Sequence, residues 1–168
     1  MSELVLDPGY WKERLIKAQR AGKLHHAVFE CDPDRWRRVA VKHREILARH
    51  VTEGTSVLDC GCGWGRLIDL MPPKWAGEYL GIDISPDFIR LAQMDHPEAR
   101  FAVWDMREAG NLSPTTGKYD LAVLVSIRPM VIRELGGDVW EKMEAAIRKV
   151  SLKLLYLEYD EKQEGSLE

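Results

Sequence analysis

Three glycines follow an apolar stretch at alternate positions, a spacing that suits a ligand-binding loop. The stretch Ser56–Cys60 predicts a strand, and Gly61, Gly63 and Gly65 come directly after it. A glycine has no side chain to hold a ligand away from the backbone, and it tolerates the positive φ angles of a tight turn. The sequence therefore predicts a turn whose main chain can lie close to a ligand.

The first three predicted strands each end in an aspartate: Asp59, Asp83 and Asp105, in that order. The carboxyl ends of parallel strands share one edge of a sheet, and ligands bind in the crevice beyond that edge. Asp83 comes 18 residues after Gly65, near the spacing at which an acid accepts hydrogen bonds from ribose hydroxyls. A group of carboxylates disfavours a pyrophosphate and favours a cationic, hydroxyl-rich ligand by Coulomb attraction.

The elements that would position these residues alternate along the chain. Predicted strands lie at 56–60, 78–84, 100–104, 119–126 and 152–159, and predicted helices at 65–71, 86–96 and 138–150. Strands separated by helices are typical of parallel βαβ units, so the sequence predicts a doubly wound α/β fold. Two further helices are predicted before the first strand, over 8–21 and from Pro33 to about His50.

One globular domain fits the chain of 168 residues, of which 45% are hydrophobic and 30% charged. No apolar run approaches the roughly 20 residues that span a bilayer. The N-terminal sequence does not have the pattern of a secretory signal, so we expect a cytoplasmic protein with no membrane contact. Cys31, Cys60 and Cys62 are expected to be reduced thiols, and no metal-ligand spacing occurs.

The charges are unevenly distributed along the chain. The first 50 residues contain 11 basic and 7 acidic side chains, whereas the remainder contains 13 basic and 20 acidic ones. A positive N-terminal segment can face an anionic substrate, or it can be only a solvated helix face.

The glycine loop and the strands around it resemble a known family, the class I S-adenosylmethionine-dependent methyltransferases. Val57–Arg66 is similar to the family's first motif and Tyr79–Pro86 to its second-strand motif. Phe101–Met106 and Tyr119–Leu124 resemble the third- and fourth-strand motifs. The resemblance covers about residues 50–160. It implies a mostly parallel sheet of about five strands in the order 3-2-1-4-5, with helices on both faces and S-adenosylmethionine as the cofactor.

The resemblance also implies roles for single residues at the predicted crevice. Gly61, Gly63 and Gly65 would approach the methionine part of the cofactor, and Asp83 would hold its ribose. The remaining residues implied to bind the cofactor are Asp59, at the loop or the cofactor's amino group; Ile84, Asp105 and Met106, around the adenine; and Cys62, Trp64, Trp104 and Ser126 beside them.

Both ends of the chain depart from the family's core. Residues 1–52 are expected to form a helical lid or substrate segment, and residues 53–168 the cofactor-binding core, within one structural domain. Too few residues follow the fifth strand for the family's last two strands, so we expect that pair to be absent. Leu152–Tyr159 would then be an exposed edge, through which a homodimer could form.

Arg128 and His26 are the candidate residues for the chemistry. The segment 126–130 follows the fourth strand, where this family usually places a catalytic residue, and Arg128 could hold an anionic group or be a solvated loop residue. His26, with His25 beside it, could act as a base or be a surface feature. The segment lacks the Asn/Asp-Pro-Pro-aromatic sequence of enzymes that methylate amino groups of nucleic acids, which counts against that subclass.

The sequence therefore predicts methyl transfer to a small molecule or a nucleic-acid component. One alternative is a cofactor-binding module without transferase activity, which completes or regulates a partner. A second alternative is a nicotinamide-dependent oxidoreductase. The spacing disfavours it, because the Gly-x-Gly-x-x-Gly fingerprint would require a glycine where Arg66 stands.

Overall fold

A six-stranded sheet forms the centre of the protein in a computed structural model, which describes residues 7–111, 118–160, 162 and 165–168. The strands are β1 (Val57–Cys60), β2 (Tyr79–Asp83), β3 (Arg100–Val103), β4 (Tyr119–Val125), β5 (Ser151–Leu157) and β6 (Ser166–Leu167). Their order is β3-β2-β1-β4-β5-β6, with the first five parallel. The predicted α/β fold and the order 3-2-1-4-5 are confirmed.

The short strand β6 corrects the prediction of a free edge at β5. It pairs antiparallel with β5 through Leu155 and Tyr156. Two further backbone hydrogen bonds, of 2.7 and 2.8 Å, join Leu154 and Glu168. The expectation that Leu152–Tyr159 is unpaired is therefore wrong over its middle, because the chain turns back after β5 and supplies its own strand. A homodimer through this edge stays a prediction, with less free backbone to support it.

In the described part of the chain, five α-helices surround the sheet: α1 (Pro8–Arg20), α2 (Pro33–His50), α3 (Pro86–Asp95), α4 (Ile127–Leu135) and α5 (Gly137–Val150). Each of the first three begins with a proline that follows a capping side chain. Asp7, Asp32 and Ser85 accept hydrogen bonds from backbone N–H groups in the first turns. These contacts satisfy donors that the helix itself leaves without partners.

The predicted helix over 65–71 is wrong. The structure has turns there, with one short 3₁₀ segment at Ile68–Leu70. Only six residues separate Gly65 from Pro72, and a residue that precedes proline is disfavoured in helical conformation. Helix α4 was not predicted. Pro129 lies in its first turn, where proline is tolerated.

The two faces of the sheet are covered by different helices. Helix α2 packs Ile46 and Leu47 on the face that carries Val57 and Leu121. Helix α5 packs Met143 and its neighbours on the opposite face. Helix α2 is thus part of the core, whereas α1 packs against α3.

No helix within the described ranges is long and apolar enough to cross a membrane.

Candidate active site

A cavity of about 410 Å³ lies at the carboxyl ends of β1, β2, β4 and β5. This is the edge at which parallel sheets of this kind bind ligands. The residues that line it come from the loops after these strands and from the N-terminal segment: Trp11, Val28, Phe29, Gly61, Gly63, Asp83, Ile84, Phe88, Met106, Val125, Ser126, Ile127, Pro129, Met130, Arg133, Glu158, Tyr159 and Asp160. Six of them are among the residues that the sequence predicted.

The loop after β1 exposes its backbone to this cavity. Gly61, Gly63 and Gly65 have φ angles of 74°, 54° and 84°, which favour glycine. A Cβ on Gly63 would find nothing within 4 Å, so the loop has open space beside it there. A Cβ on Gly65 would lie 2.9 Å from His96 and 3.0 Å from Phe101. The structure therefore places Gly63 at the cavity and Gly65 against the packed interior.

Asp83 is held by two backbone donors at the end of β2. The N–H of Gly63 donates to Oδ2 over 2.9 Å, and the N–H of Ser85 donates to Oδ1 over 2.8 Å. Burial raises the pKa of Asp83 to about 6, although these N–H groups oppose the rise. Each carboxylate oxygen has a second lone pair, so Asp83 can accept further hydrogen bonds from a ligand.

Asp59 is almost fully buried and lies deeper than Asp83. It accepts a hydrogen bond of 2.7 Å from the hydroxyl of Tyr79. Burial raises the pKa of Asp59 to about 7. Asp59 borders a second cavity of about 30 Å³, which is also lined by Cys62, Trp64 and Arg66. Gly61 and Gly63 border both cavities, so the two spaces meet at the glycine loop.

The three predicted residues after β3 have separate surroundings. Met106 lines the main cavity. Asp105 accepts hydrogen bonds from the side chain and the backbone N–H of Arg107. Burial raises the pKa of Asp105, but the contacts with Arg107 outweigh burial, and its pKa lies below the ordinary value. The Nε1 of Trp104 is buried and makes no hydrogen bond within the described part of the chain.

Ser126 adopts a strained backbone conformation directly after β4. Its φ is 54°, the only positive value among the described residues other than glycine. The hydroxyl donates to Oε2 of Glu158 over 2.7 Å and accepts from the N–H of Tyr159 over 3.0 Å. Strained residues of this kind cluster at functional sites. Ser126 was predicted to bind the cofactor, and the structure places it at the cavity as the residue that fixes Glu158.

Glu158 is a cavity residue that sequence reasoning missed. It is partly buried, which raises its pKa, while the hydroxyl of Ser126 and the charge of Arg128 oppose the rise. Its backbone carbonyl lies 2.7 Å from Nε2 of His43, which is fully buried in α2. Its position directly after the fifth strand, at the edge where ligands bind, is the sequence signal that could have identified it. The contact with His43 spans 115 residues of sequence and could not be foreseen.

The structure does not bring the two predicted catalytic residues to the cavity wall. The Nε2 atoms of His26 and His25 lie 3.0 and 3.2 Å from the carbonyl oxygen of Cys31. The guanidinium of Arg128 lies 3.4 Å from Glu168 and over the ring of Tyr156. Both roles stay predictions.

The buried cysteines behave as packing residues. Cys60 and Cys62 are free thiols, and burial raises the pKa of each well above its usual range. Among the residues that the structure describes, no group of three or more His, Cys, Asp or Glu side chains is arranged to hold a metal ion.

Comparison with known sequences connects this arrangement with methyltransferases. Residues 57–150 match the family of methyltransferase domains. The ribosomal protein L11 methyltransferase of Ralstonia pickettii is 36% identical over 83 residues, which are 47% of this chain and 26% of that protein. That of Dechloromonas aromatica is 35% identical over 79 residues, again 26% of its length. The chain thus spans about a quarter of the relatives it matches.

Solved structures show the same fold. A TehB-like SAM-dependent methyltransferase from Corynebacterium glutamicum superimposes with a TM-score of 0.57 and 24% identity, over 89% of this chain and 73% of that one. Magnesium protoporphyrin IX methyltransferase from Synechocystis, with bound SAM, gives a TM-score of 0.52 and 22% identity, over 73% and 68%.

The sequence match covers more than half of the chain, from the start of β1 to the end of α5. The sheet order and the loop geometry agree with it, and the resemblance inferred from the motifs is confirmed. The chain belongs to the methyltransferase-domain family and has the fold of the class I S-adenosylmethionine-dependent methyltransferases.

Proposed function

We propose that this protein transfers a methyl group from S-adenosylmethionine to a small-molecule acceptor. The observation that carries the proposal is the set of residues that line the main cavity. They include the glycine loop and the end of β2, and they also include Phe29, Met130 and Glu158 from other segments of the chain. One cavity thus offers a place for a nucleoside and a second place for an acceptor.

The residues present fit the cofactor. The open space beside Gly63 admits a ligand close to the backbone, and the free lone pairs of Asp83 suit the two ribose hydroxyls. Ile84 and Met106 offer apolar surface for the adenine. When bound, the cofactor supplies a methyl group on a sulfonium that needs no further activation, so the protein's main task is to orient the acceptor.

We assign to Glu158 the role of general base, which removes a proton from the acceptor. It is the carboxylate in the cavity that a side-chain hydroxyl holds in place, and burial raises its pKa above the ordinary value, which makes it a stronger base. The Glu158→Gln variant should bind S-adenosylhomocysteine as the wild type does and should lose most of its turnover. Loss of affinity for S-adenosylhomocysteine in this variant would place Glu158 in the cofactor site instead.

A protein acceptor is the second candidate, because the relatives named above act on ribosomal protein L11. Incubation with methyl-tritiated S-adenosylmethionine separates the candidates. We would offer a panel of small amines, phenols and thiols in one arm and ribosomal proteins in the other. Label in a small organic product supports the proposal, and label that precipitates with protein contradicts it.

The same experiment tests the two alternatives. Tight cofactor binding without label transfer in either arm would indicate a binding module that lacks transferase activity. Binding of a nicotinamide nucleotide in place of S-adenosylmethionine would indicate an oxidoreductase. A cytoplasmic location and an anionic acceptor held by Arg128 remain expectations from the sequence.

A further inference from the structure

His43 is a polar residue on the face of α2 that is buried against the rest of the protein. The other buried residues of this helix, Val39, Ile46 and Leu47, are apolar, and the side chains of all four are fully buried. A buried polar side chain costs free energy unless its donor and acceptor atoms have partners. An apolar side chain would avoid this cost, so the partners of His43 define what the residue contributes.

Both ring nitrogens of His43 have a partner. Nη2 of Arg66 lies 2.8 Å from Nδ1, and the carbonyl oxygen of Glu158 lies 2.7 Å from Nε2. A guanidinium only donates and a carbonyl only accepts, so Nδ1 is unprotonated and Nε2 carries the proton. The two partners thus require the same neutral form of the ring. Burial, and then the charge of Arg66, lower the pKa of His43 to about 4, so the ring is neutral at neutral pH.

The two partners of His43 belong to the two segments that the proposed function uses. Arg66 directly follows the glycine loop, and its Cζ lies over the rings of Trp36 and Tyr159, 4.8 and 5.6 Å from their centroids. Glu158 directly follows β5 and lines the main cavity. His43 therefore forms a hydrogen-bonded bridge between the loop assigned to the cofactor and the residue assigned as the general base.

The main chain of Glu158 lies just beyond the paired part of β5. The carbonyl of Leu157 accepts a hydrogen bond of 2.7 Å from the N–H of Ser126, and Leu157 is the last residue of β5 that pairs with β4. The next carbonyl, that of Glu158, is bound by His43. The hydroxyl of Ser126 binds the carboxylate of Glu158. The side chain of the base is thus held by Ser126, and its main chain by His43.

We propose that His43 is a positioning residue for methyl transfer, which fixes the main chain of Glu158 relative to the glycine loop. The role rests on the proposed function, because it requires Glu158 as the base and the cofactor at the loop. His43 itself lines neither cavity of the site, so it acts through Glu158 and not on a ligand. A misplacement of about 1 Å can lower a rate by about 100-fold, so such a contact can control turnover.

Separate measurements of turnover and affinity test this role. Turnover is measured with methyl-tritiated S-adenosylmethionine and the panel of small amines, phenols and thiols, and affinity by calorimetry with S-adenosylhomocysteine. In His43→Leu, turnover should fall roughly 10- to 100-fold, because the carbonyl of Glu158 loses its donor. The affinity should stay within about threefold of the wild type, because the contact between Gly63 and Asp83 remains.

The conservative variant His43→Gln should restore turnover. Its side-chain amide can accept a hydrogen bond from Arg66 and donate one to the carbonyl of Glu158. We expect turnover within about threefold of the wild type, a rescue that a role in packing alone would not give. If His43→Leu does not fold, His43→Met takes its place, because the flexible methionine side chain adapts to the available space.

Leu47→Ala is the matched control for stability. Leu47 is fully buried one turn further along α2, and it packs in the cluster that includes Val57 and Leu121. This variant should lower the free energy of unfolding but leave the turnover per folded molecule unchanged.

Nitrogen NMR of the histidine rings adds a test on the wild-type protein. Near neutral pH, His43 should carry a proton on Nε2 and none on Nδ1. A ring without a proton on Nε2 could not bind the carbonyl of Glu158 and would overturn the role.

The outcomes of the turnover experiment are distinct. Equal losses in His43→Leu and Leu47→Ala, or in His43→Leu and His43→Gln, would overturn the role and leave His43 as a packing residue. An unchanged turnover in His43→Leu would also overturn it, as would an affinity that falls as far as the turnover. A wild-type protein that binds no S-adenosylhomocysteine and transfers no label would refute the proposed function itself, and the positioning role with it.

Discussion

The backbone N–H of Gly63 donates a hydrogen bond to Oδ2 of Asp83, and the two atoms are 2.9 Å apart. This contact joins the loop after β1 to the end of β2 and fixes both sides of the crevice before a ligand arrives. The sequence predicted a helix over 65–71, directly after this loop, but no α-helix begins there, and the N–H group that binds Asp83 belongs to the loop itself.

The first prediction concerns the open side of Gly63. The Gly63→Ala variant should lose at least tenfold in affinity for S-adenosylhomocysteine, because the new methyl group would lie where the ligand approaches. Gly22→Ala is a matched control, since Gly22 also has a positive φ, of 64°, and a Cβ there also meets nothing within 4 Å. Both variants should lose about 1 kcal/mol of stability from backbone strain. Only Gly63→Ala should lose affinity, as measured by calorimetry.

The second prediction concerns the pH dependence of binding. The pKa of Asp83 is raised to about 6, so the carboxylate is ionised above that pH and protonated below it. A protonated carboxyl has fewer acceptor sites for the ribose hydroxyls. The affinity for S-adenosylhomocysteine should therefore fall as the pH drops below about 6, by up to roughly tenfold per unit. In Asp83→Asn this dependence should vanish; the same slope in that variant would assign the titration to another group.

The third prediction concerns stability. His43 has a pKa of about 4 in the folded protein and 6.5 as its ordinary value. Between these values the unfolded chain binds the proton and the folded one does not, so stability is lost as the pH falls from about 6.5 to 4. His43→Gln can make both hydrogen bonds but does not titrate. Relative to this variant, the wild type should lose up to about 1.4 kcal/mol per pH unit in urea unfolding. Parallel curves would contradict the buried neutral form.

The fourth prediction separates strain from hydrogen bonding at Ser126. Ser126→Ala removes the hydroxyl that holds Glu158 and keeps a Cβ at positive φ, whereas Ser126→Gly removes both. The glycine variant should be more stable than the alanine variant by about 1 kcal/mol. Both should reduce turnover, because Glu158 loses the hydroxyl that orients its side chain. Equal stability in denaturant titrations would show that the backbone here is not strained.

Much of the fold could be predicted from local sequence. The apolar runs indicated the five parallel strands, and prolines indicated the starts of α1, α2 and α3. Asp83 and Gly63 could be assigned because strand ends must meet at one edge of a parallel sheet. These signals act over a few residues or follow from the topology of the fold.

The other parts of the fold and of the site depend on contacts that the spacing of residues in the sequence does not indicate. The interaction of Arg66 with His43, and of His43 with Glu158, joins segments far apart in the chain. The strand β6 has two residues, too few for a periodic pattern. The predicted helix over 65–71 is absent, because Pro72 leaves the segment after Gly65 too little length for an α-helix.

The central claim is that the crevice between the glycine loop and Asp83 binds an S-adenosyl nucleoside. Calorimetric titration of the wild-type protein with S-adenosylhomocysteine and, separately, with NAD tests it most directly. We expect one equivalent of S-adenosylhomocysteine to bind at micromolar concentration, a large loss of affinity in Asp83→Asn, and no heat with NAD. No binding of S-adenosylhomocysteine at millimolar concentration, or equal binding by the Asp83→Asn variant, would contradict the account.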